Sequence, residues 1–588
     1  MPNQNPIKNP IKREDPMCKG LSAMGTTIGL LFTTLAIAVN ASVYSQTTNA
    51  SNQYQIGTSL EATADPPVPR PHTKPCVVTL LSNQAFENFN SAPFSYSPPS
   101  ACPGPWSKVV FEGDFSIQAG VQYDRTAEVF LGNVDLYFGT TAEPLQSVTD
   151  TWHVERDVTD YSALFTTAQT GFASLGNLIE PGLNSIIFGT FTLEFYPANF
   201  ENPAPKTADA VLPIPDNSNG TFAIDSSSPE LTQTFTLPTN IEGAYLDVFA
   251  QSQNQEEQWF LCVPDSLAST LGDCHNTSFR EVEISIDGIP AGVAPVYPWI
   301  YTGGIDPYLW IPIPGVQTLN FKPYRVDLTP FAGLLSNGQQ HTIGVSVYNA
   351  YEYFSSDAVL LLFQDHGSTN VTGEVTSNTL TAPKPTVVNT VSFNSSGVGS
   401  GTITITNSHN FTIEGYVNTS HGRVATTVDE AVNFSNVTYV ALTASNEEIQ
   451  NEVQSSTVDA KTTTRDGFLF DTRETHFSYP FTINLSDAFL SNGDVPQVTS
   501  INQQFEKTEL DTLEGFFPVF QSSERNEVTT QDSTEFVFAN GGYSLGPSTG
   551  QSSSQTYTYH DSRGDCYSRT LSAADLLLTN VENGHGCW

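Results

Sequence analysis

Gly189-Thr190-Phe191-Thr192-Leu193-Glu194-Phe195-Tyr196 places an apolar side chain at every second position and a polar one between. Period two is the spacing of a strand with one face buried and the other wet. The pattern recurs in Ser107-Lys-Val-Val-Phe-Glu112 and Ala127-Glu-Val-Phe-Leu-Gly132, and Gly, Pro and Asn clusters separate the runs. Such grammar predicts an antiparallel sandwich. It resumes at Tyr245-Leu-Asp-Val-Phe-Ala250 and continues to Leu360-Leu-Leu-Phe363, which implies a second sandwich. Beyond residue 366 the composition shifts to Thr, Ser, Asn and Val, as in Gly401-Thr-Ile-Thr-Ile-Thr406, and a third, polar β region is expected there. Helical windows are short, Leu576 to Thr579 among them. The expected class is therefore all-β: two adjacent jelly-roll-like β-sandwich domains plus a C-terminal β-rich region. The boundaries are 76–200 for the first sandwich, 201–235 for a linker, 236–365 for the second sandwich and 366–588 for the C-terminal domain.

Bulk numbers agree with that reading. A chain of 588 residues exceeds one core. Its 37 Phe and 22 Tyr supply bulky apolar surface, while 38 Pro and 41 Gly mark frequent turns. The formal charge of −39 argues against nucleic acid or an anionic membrane as partner. Residues 1–42 read as a signal peptide or signal anchor, because four basic groups precede the apolar run Ile28 to Val39. Residues 43–75, ending in Pro66-Pro67-Val68-Pro69-Arg70-Pro71, read as a disordered linker. Six cysteines follow the apolar run in close pairs, and proximity suggests Cys76–Cys102, Cys262–Cys274 and Cys566–Cys587 disulfides, or else free buried thiols. A secreted or extracytoplasmic location is expected. In a eukaryote Asn-x-Ser/Thr sites such as Asn370, Asn410, Asn418 and Asn484 would carry glycans.

Chemistry concentrates in Gln122-Tyr123-Asp124-Arg125-Thr126-Ala127-Glu128, where charges interrupt a strand pattern. Alternation puts Asp124, Thr126 and Glu128 on one face and Arg125 on the other. Two carboxylates facing a cleft would suit acid/base work, and a solvated strand face is the plain alternative. Gln122-Tyr-Asp-Arg125, Thr141-Ala-Glu-Pro144, Trp152-His-Val-Glu-Arg-Asp-Val-Thr-Asp-Tyr161, Glu256-Glu-Gln-Trp259, Phe279-Arg-Glu-Val-Glu-Ile-Ser-Ile-Asp-Gly288, Tyr301-Thr-Gly-Gly-Ile-Asp-Pro307, Tyr348-Asn-Ala350 and Tyr559-His-Asp-Ser-Arg-Gly-Asp-Cys-Tyr-Ser-Arg-Thr570 occur in that order. Together they resemble the plant and fungal A-type peptide:N-glycanases over about residues 76 to 588.

A more distant resemblance, to bacterial F-type enzymes, places that family's principal catalytic aspartate on Asp124. The F-type glutamate of the second domain falls near Asn276 and its cleft arginine near Pro307, so neither role carries over. What the resemblance implies is hydrolysis of the amide joining asparagine to the first N-acetylglucosamine. Asp124 would deliver water, with the second carboxylate at Glu257, or Glu256 or Glu143 in its place. Arg125 or Arg280 would stabilise charge, and Arg280 could also pair with Asp124 or Glu257, hold a glycan hydroxyl, or form a plain interdomain salt bridge. Trp259, Trp299 and Trp310 are candidates for stacking on sugar, or for the core, and Glu128, Asp306 and Asn349 are further substrate-binding candidates. Substrates would be N-glycopeptides or denatured N-glycoproteins, with tolerance of core α1,3-fucose and a preference for acidic pH. No metal and no other cofactor is implied, and the sequence carries no Gly-x-Ser-x-Gly or His-Glu-x-x-His motif. Competing readings are a glycosidase, which would leave N-acetylglucosamine on the peptide, and a noncatalytic secreted carbohydrate-binding or adhesion protein.

Overall fold

The computed structural model describes residues 54–584, apart from 216, 218, 219 and 468. The export segment at 1–42 and Cys587 of the Cys566–Cys587 pair lie outside the described residues. Among the described residues no helix is long and apolar enough to cross a membrane. Cys76 is bonded to Cys102 and Cys262 to Cys274.

The first sandwich has eight strands. One sheet runs Cys76–Phe86, Ile187–Pro197, Trp106–Ile117, Asp150–Asp157, and the other runs Ala92–Tyr96, Gln169–Leu175, Thr126–Leu131, Val134–Thr140. In chain order these are strands one, eight, three, six facing two, seven, four, five, the wrap of a jelly roll. The second sandwich repeats that order. Phe222–Asp225, Tyr353–Gln364, Ile241–Gln253 and Tyr324–Asp327 form one sheet, with Ala210–Ile214 added to Tyr353–Gln364. Glu230–Thr236, Gln340–Tyr348, Glu281–Ile286 and Ile289–Pro295 form the other. Alternation supplies both cores: Phe191, Leu193 and Phe195 point inward and are buried. Residues 201–235, expected to link the two, instead supply three strands of the second sandwich. Their Pro, Asp and Ser content marks the turns between short strands, which a reading by composition takes for a linker.

The C-terminal region is one twelve-stranded antiparallel sheet, most of it a meander of strands such as Gly399–Thr419, Gly422–Leu442 and Phe517–Ala539. Its inner face is unusually polar. Gln503 donates to the Pro298 carbonyl (2.6 Å) and accepts from the Val316 N–H (2.8 Å), Thr530 donates to Leu309 (2.7 Å) and Gln551 to Ile311 (3.1 Å). These side chains satisfy backbone groups of an irregular segment, 298–316, that no sheet ladder serves. Leu576 to Thr579 is not helical; it turns into the strand Leu577–Asn583.

Residues 54–75 also depart from the linker expectation. Ala62 and Ala64 are buried against the C-terminal sheet. Arg70 reaches Glu112, Glu155 and Glu194 of the first sandwich at 2.6, 2.7 and 2.9 Å. The prolines keep the segment extended and free of its own ladder, while side-chain contacts fix it.

Thr140 N–H donates to Thr318 O (2.9 Å) and Phe321 N–H to Phe138 O (3.0 Å), so segment 318–321 of the second sandwich pairs alongside the first sandwich's edge strand Val134–Thr140. Leu319, Val359 and Leu361 of the second sandwich bury their side chains in the core of the first. The seam is therefore fixed, and so are groups projecting into it.

Candidate active site

Asp124 precedes the strand Thr126–Leu131, and Glu143 follows its partner Val134–Thr140. The two loops lie side by side. Gln122 Nε2 donates to Pro144 O (2.9 Å) and Thr141 N–H to Arg125 O (2.9 Å), which brings Asp124 and Glu143 to one end of one sheet. The second domain closes the site with Tyr301-Thr302-Gly303-Gly304. Thr302 Oγ1 donates to Thr141 O (2.7 Å), and the Gly303 N–H donates to Asp124 Oδ2 (3.2 Å).

Gly303 shows how tightly the carboxylates converge. A Cβ built there would stand 2.3 Å from Glu143 Oε2 and 3.0 Å from both Cγ and Oδ2 of Asp124. Only a residue without a side chain lets both approach this backbone. Glu257 lies beyond the next residue, 3.3 Å from where a Gly304 Cβ would be, and takes a hydrogen bond from Gln258 Nε2 (3.0 Å). Three carboxylates thus surround one diglycine, and Glu143 shares Gly303 with Asp124.

Two further groups frame them. Arg125 is buried against the Tyr123 ring, 4.5 Å from its centroid, and its Nε and Nη1 make no hydrogen bond among the described residues. Burial pulls its pKa below the ordinary value, against the Glu143, Tyr123 and Asp124 charges that raise it. A guanidinium still stays charged, so Arg125 holds positive charge behind two carboxylates. Tyr301 donates to Ser252 O (2.6 Å), and burial followed by the Glu257, Tyr353 and Asp124 charges pushes its phenol well above its usual range. Tyr301 was not among the sequence candidates, although its neighbouring glycines carried the resemblance. A buried tyrosine has no sequence mark that separates core from site.

Several expected residues stand elsewhere. Glu256 is fully buried in an ion pair with Arg280 (2.5 Å), and its other oxygen accepts from the Tyr351 and Glu352 N–H groups, both at 2.8 Å. Arg280 therefore pairs with neither Asp124 nor Glu257; it binds Glu256 and carbonyls of the 275–279 turn. This pair holds the loop from which Glu257 projects. Glu128 turns toward the 220–221 loop, accepting from Thr221 Oγ1 (2.8 Å), and burial pushes it up to about 7. Asp306 is buried and accepts from the Tyr308 N–H (2.8 Å), so no glycan hydroxyl reaches it. Asn349 sits in a left-handed turn and donates to Asn276 O. Trp259, Trp299 and Trp310 are core residues, 1%, 6% and 1% exposed, so none offers a face to a sugar. With them goes the aromatic support for a noncatalytic sugar-binding reading.

Elsewhere, Glu112, His153 and Glu155 bring ligand atoms within 4.8 Å of one another. Arg70 already neutralises two of them, so a cation there would have to displace a guanidinium.

A pair of jelly rolls whose carboxylates converge at the seam, backed by a guanidinium and a backbone N–H, has the equipment of a carboxylate-dependent hydrolase. The comparisons make this class specific. Residues 66–382, more than half of the chain, match the family described as peptide N-acetyl-β-D-glucosaminyl asparaginase amidase A, and the chain belongs to that family of glycoamidases. A peptide-N4-(N-acetyl-β-glucosaminyl)asparagine amidase A of Prunus dulcis is 32% identical over 395 residues, which is 63% of this chain and 67% of the relative. Among solved structures, PNGF-II is 14% identical with a TM-score of 0.36, covering 50% of this chain and 66% of the other. PNGase F, a glycosylasparaginase from Flavobacterium meningosepticum, is 13% identical with a TM-score of 0.33, covering 50% and 96%. The jelly-roll assignment rests on the strand order above.

Proposed function

We propose that the protein hydrolyses the bond between the asparagine side-chain amide and the first N-acetylglucosamine of an N-linked glycan, and that the chemistry occurs where Asp124 and Glu143 meet over Gly303. The carrying observation is that convergence, which lies inside the family-matched segment. Asp124, oriented by the Gly303 N–H, takes the proton of a water that attacks the amide carbon. The tetrahedral oxyanion is stabilised by positive charge from Arg125 and by backbone N–H groups. Glu143, converging on the same backbone as Asp124, passes a proton to the departing glycosylamine. Asparagine becomes aspartate, and the intact glycan leaves as its 1-amino sugar. Glu257 stands as third carboxylate and orients substrate from the second domain.

Because one of two neighbouring carboxyls must be protonated, activity favours acidic pH. Tolerance of core α1,3-fucose follows from the A-type resemblance. The proposed setting is outside the cytoplasm, supported by the export-type segment and by two disulfides. The test is mass spectrometry of defined glycopeptides, with and without core α1,3-fucose, after incubation at acidic and neutral pH. Loss of the entire glycan with Asn becoming Asp, faster at acidic pH, supports the reading. An N-acetylglucosamine left on the peptide means a glycosidase, and an untouched glycopeptide means a binding protein.

A further inference from the structure

The diglycine belongs to an irregular segment, and the C-terminal sheet holds that segment at a point the proposed reaction does not use. Asp306 ends the Tyr301-Thr302-Gly303-Gly304-Ile305 run and caps the short 3-10 turn Pro307–Trp310 through Oδ1. Trp310 Nε1 returns a hydrogen bond to Gly304 O (2.9 Å), so cap, turn and diglycine form one closed unit. The strand Phe517–Ala539 reaches this turn, Thr530 donating to Leu309 O (2.7 Å), and its Asp532 side chain interacts with that of Asp306 while accepting from Thr534 Oγ1 (2.5 Å) and Ser548 Oγ (2.9 Å) through Oδ2. Asp306 is 0% and Asp532 4% exposed. Each keeps one buried oxygen, Oδ2 of Asp306 and Oδ1 of Asp532, that accepts no hydrogen bond from another donor. Two buried carboxylates cannot both be charged at contact, so one proton must lie between them.

We propose that Asp306 and Asp532 share a proton in a carboxyl–carboxylate clasp through which the C-terminal sheet positions the Gly303–Gly304 backbone for catalysis; this rests on the active-site reading above. Both are positioning residues, acting on Gly303–Gly304 through the Pro307–Trp310 turn. Burial, then the Asp532 charge, pushes Asp306 up to about 7. Among the described residues the other titratable group facing the pair is the Tyr308 phenol, which burial and both carboxylates raise, so it stays neutral. Below about pH 7 the clasp is closed. Above it the shared proton leaves, the charges repel and the loop loosens.

Two readouts on the full-length protein separate this proposal from the reading it rests on. The first is hydrogen exchange of the peptide spanning 298–312, corrected for intrinsic rates, at pH 6 and 8. The second is kcat and KM on a glycopeptide across the same range. In Asp532→Ala, exchange at pH 6 rises about tenfold, toward the parent's pH 8 value, with little further change at pH 8, and kcat at pH 6 falls about tenfold with KM little changed. Asp532→Asn recovers most of the loss, because an amide donates to Asp306 when that is ionised and accepts from it when protonated. Its exchange also loses the rise that the parent shows between pH 6 and 8, and its kcat keeps only the part of the decline that the active-site carboxyls cause. Unchanged exchange at pH 6 in Asp532→Ala overturns the clasp, as does an Asp532→Asn exchange profile between pH 6 and 8 superimposable on the parent's. A parent that releases no glycan overturns the function reading alone, because exchange still decides the clasp.

Discussion

Gly303 is the residue on which the site turns. Its missing side chain is what lets Glu143 and Asp124 lie over one backbone. Adding a methyl pushes on the ends of two flexible carboxylates, so the damage falls on chemistry more than on folding. Gly303→Ala is expected to lower kcat/KM about a hundredfold while shifting the melting temperature by only a few degrees, measured by glycopeptide turnover and a thermal melt. The adjacent glutamates give the opposite pair. Glu256→Gln removes the partner of buried Arg280 and should cost about 3–5 kcal/mol of stability in a denaturant titration, whereas Glu257→Gln should leave stability intact and raise KM. Sequence alone distinguished these residues poorly, for physical reasons. Asp124 and Glu128 were expected on one face by alternation, but the strand starts at Thr126, so Asp124 lies outside the pleat where that rule applies. Glu256 and Glu257 sit in an irregular loop with no period to say which turns inward; only the position of Arg280 decides it. Asp124 and Arg125 were legible as charges interrupting a strand pattern.

Segment 298–316 carries the second domain's share of the site, and its stiffness comes from side chains of another element. Gln503 alone serves Pro298 O and Val316 N–H. Gln503→Leu leaves both backbone groups unmet, at about 1–3 kcal/mol each, and faster exchange in 298–316 should accompany the lower stability. This support was invisible beforehand because the strands providing it bury Gln, Asn and Thr where a sheet normally buries Val and Ile. Their composition announced β structure but not which face was inside. The jelly rolls were far more legible, since Phe191, Leu193 and Phe195 state their inward face directly. The 54–75 and 201–235 stretches were misread for one shared reason: proline and serine mark an absence of periodicity, and order imposed by ion pairs such as Arg70–Glu155 leaves no periodic trace.

At the scale of the molecule, the acidic composition becomes a pH response. Burial raises Asp135 to about 6, Glu128 to about 7 and Glu430 to about 8. A carboxyl whose folded pKa exceeds its unfolded value near 4 holds its proton in the native state after the unfolded chain has lost it. Stability therefore falls as pH rises from about 4 through each folded value, and the window for these groups runs to about 8. The melting temperature should be higher at pH 5 than at pH 8 at constant ionic strength; a higher value at pH 8 would contradict these assignments. The same architecture puts the proposed site between domains, with Asp124 and Glu143 from one sandwich and Gly303, Gly304 and Glu257 from the other, held by a seam in which segment 318–321 pairs beside the first domain's edge strand. The most direct test of that account is a single-turnover reaction on a defined glycopeptide in ¹⁸O water, comparing the parent with Asp124→Asn at equal folded concentration. One ¹⁸O in the new aspartate and a rate lowered about 10²- to 10⁴-fold in the variant are expected. Glycan release by Asp124→Asn at the parental rate would contradict it.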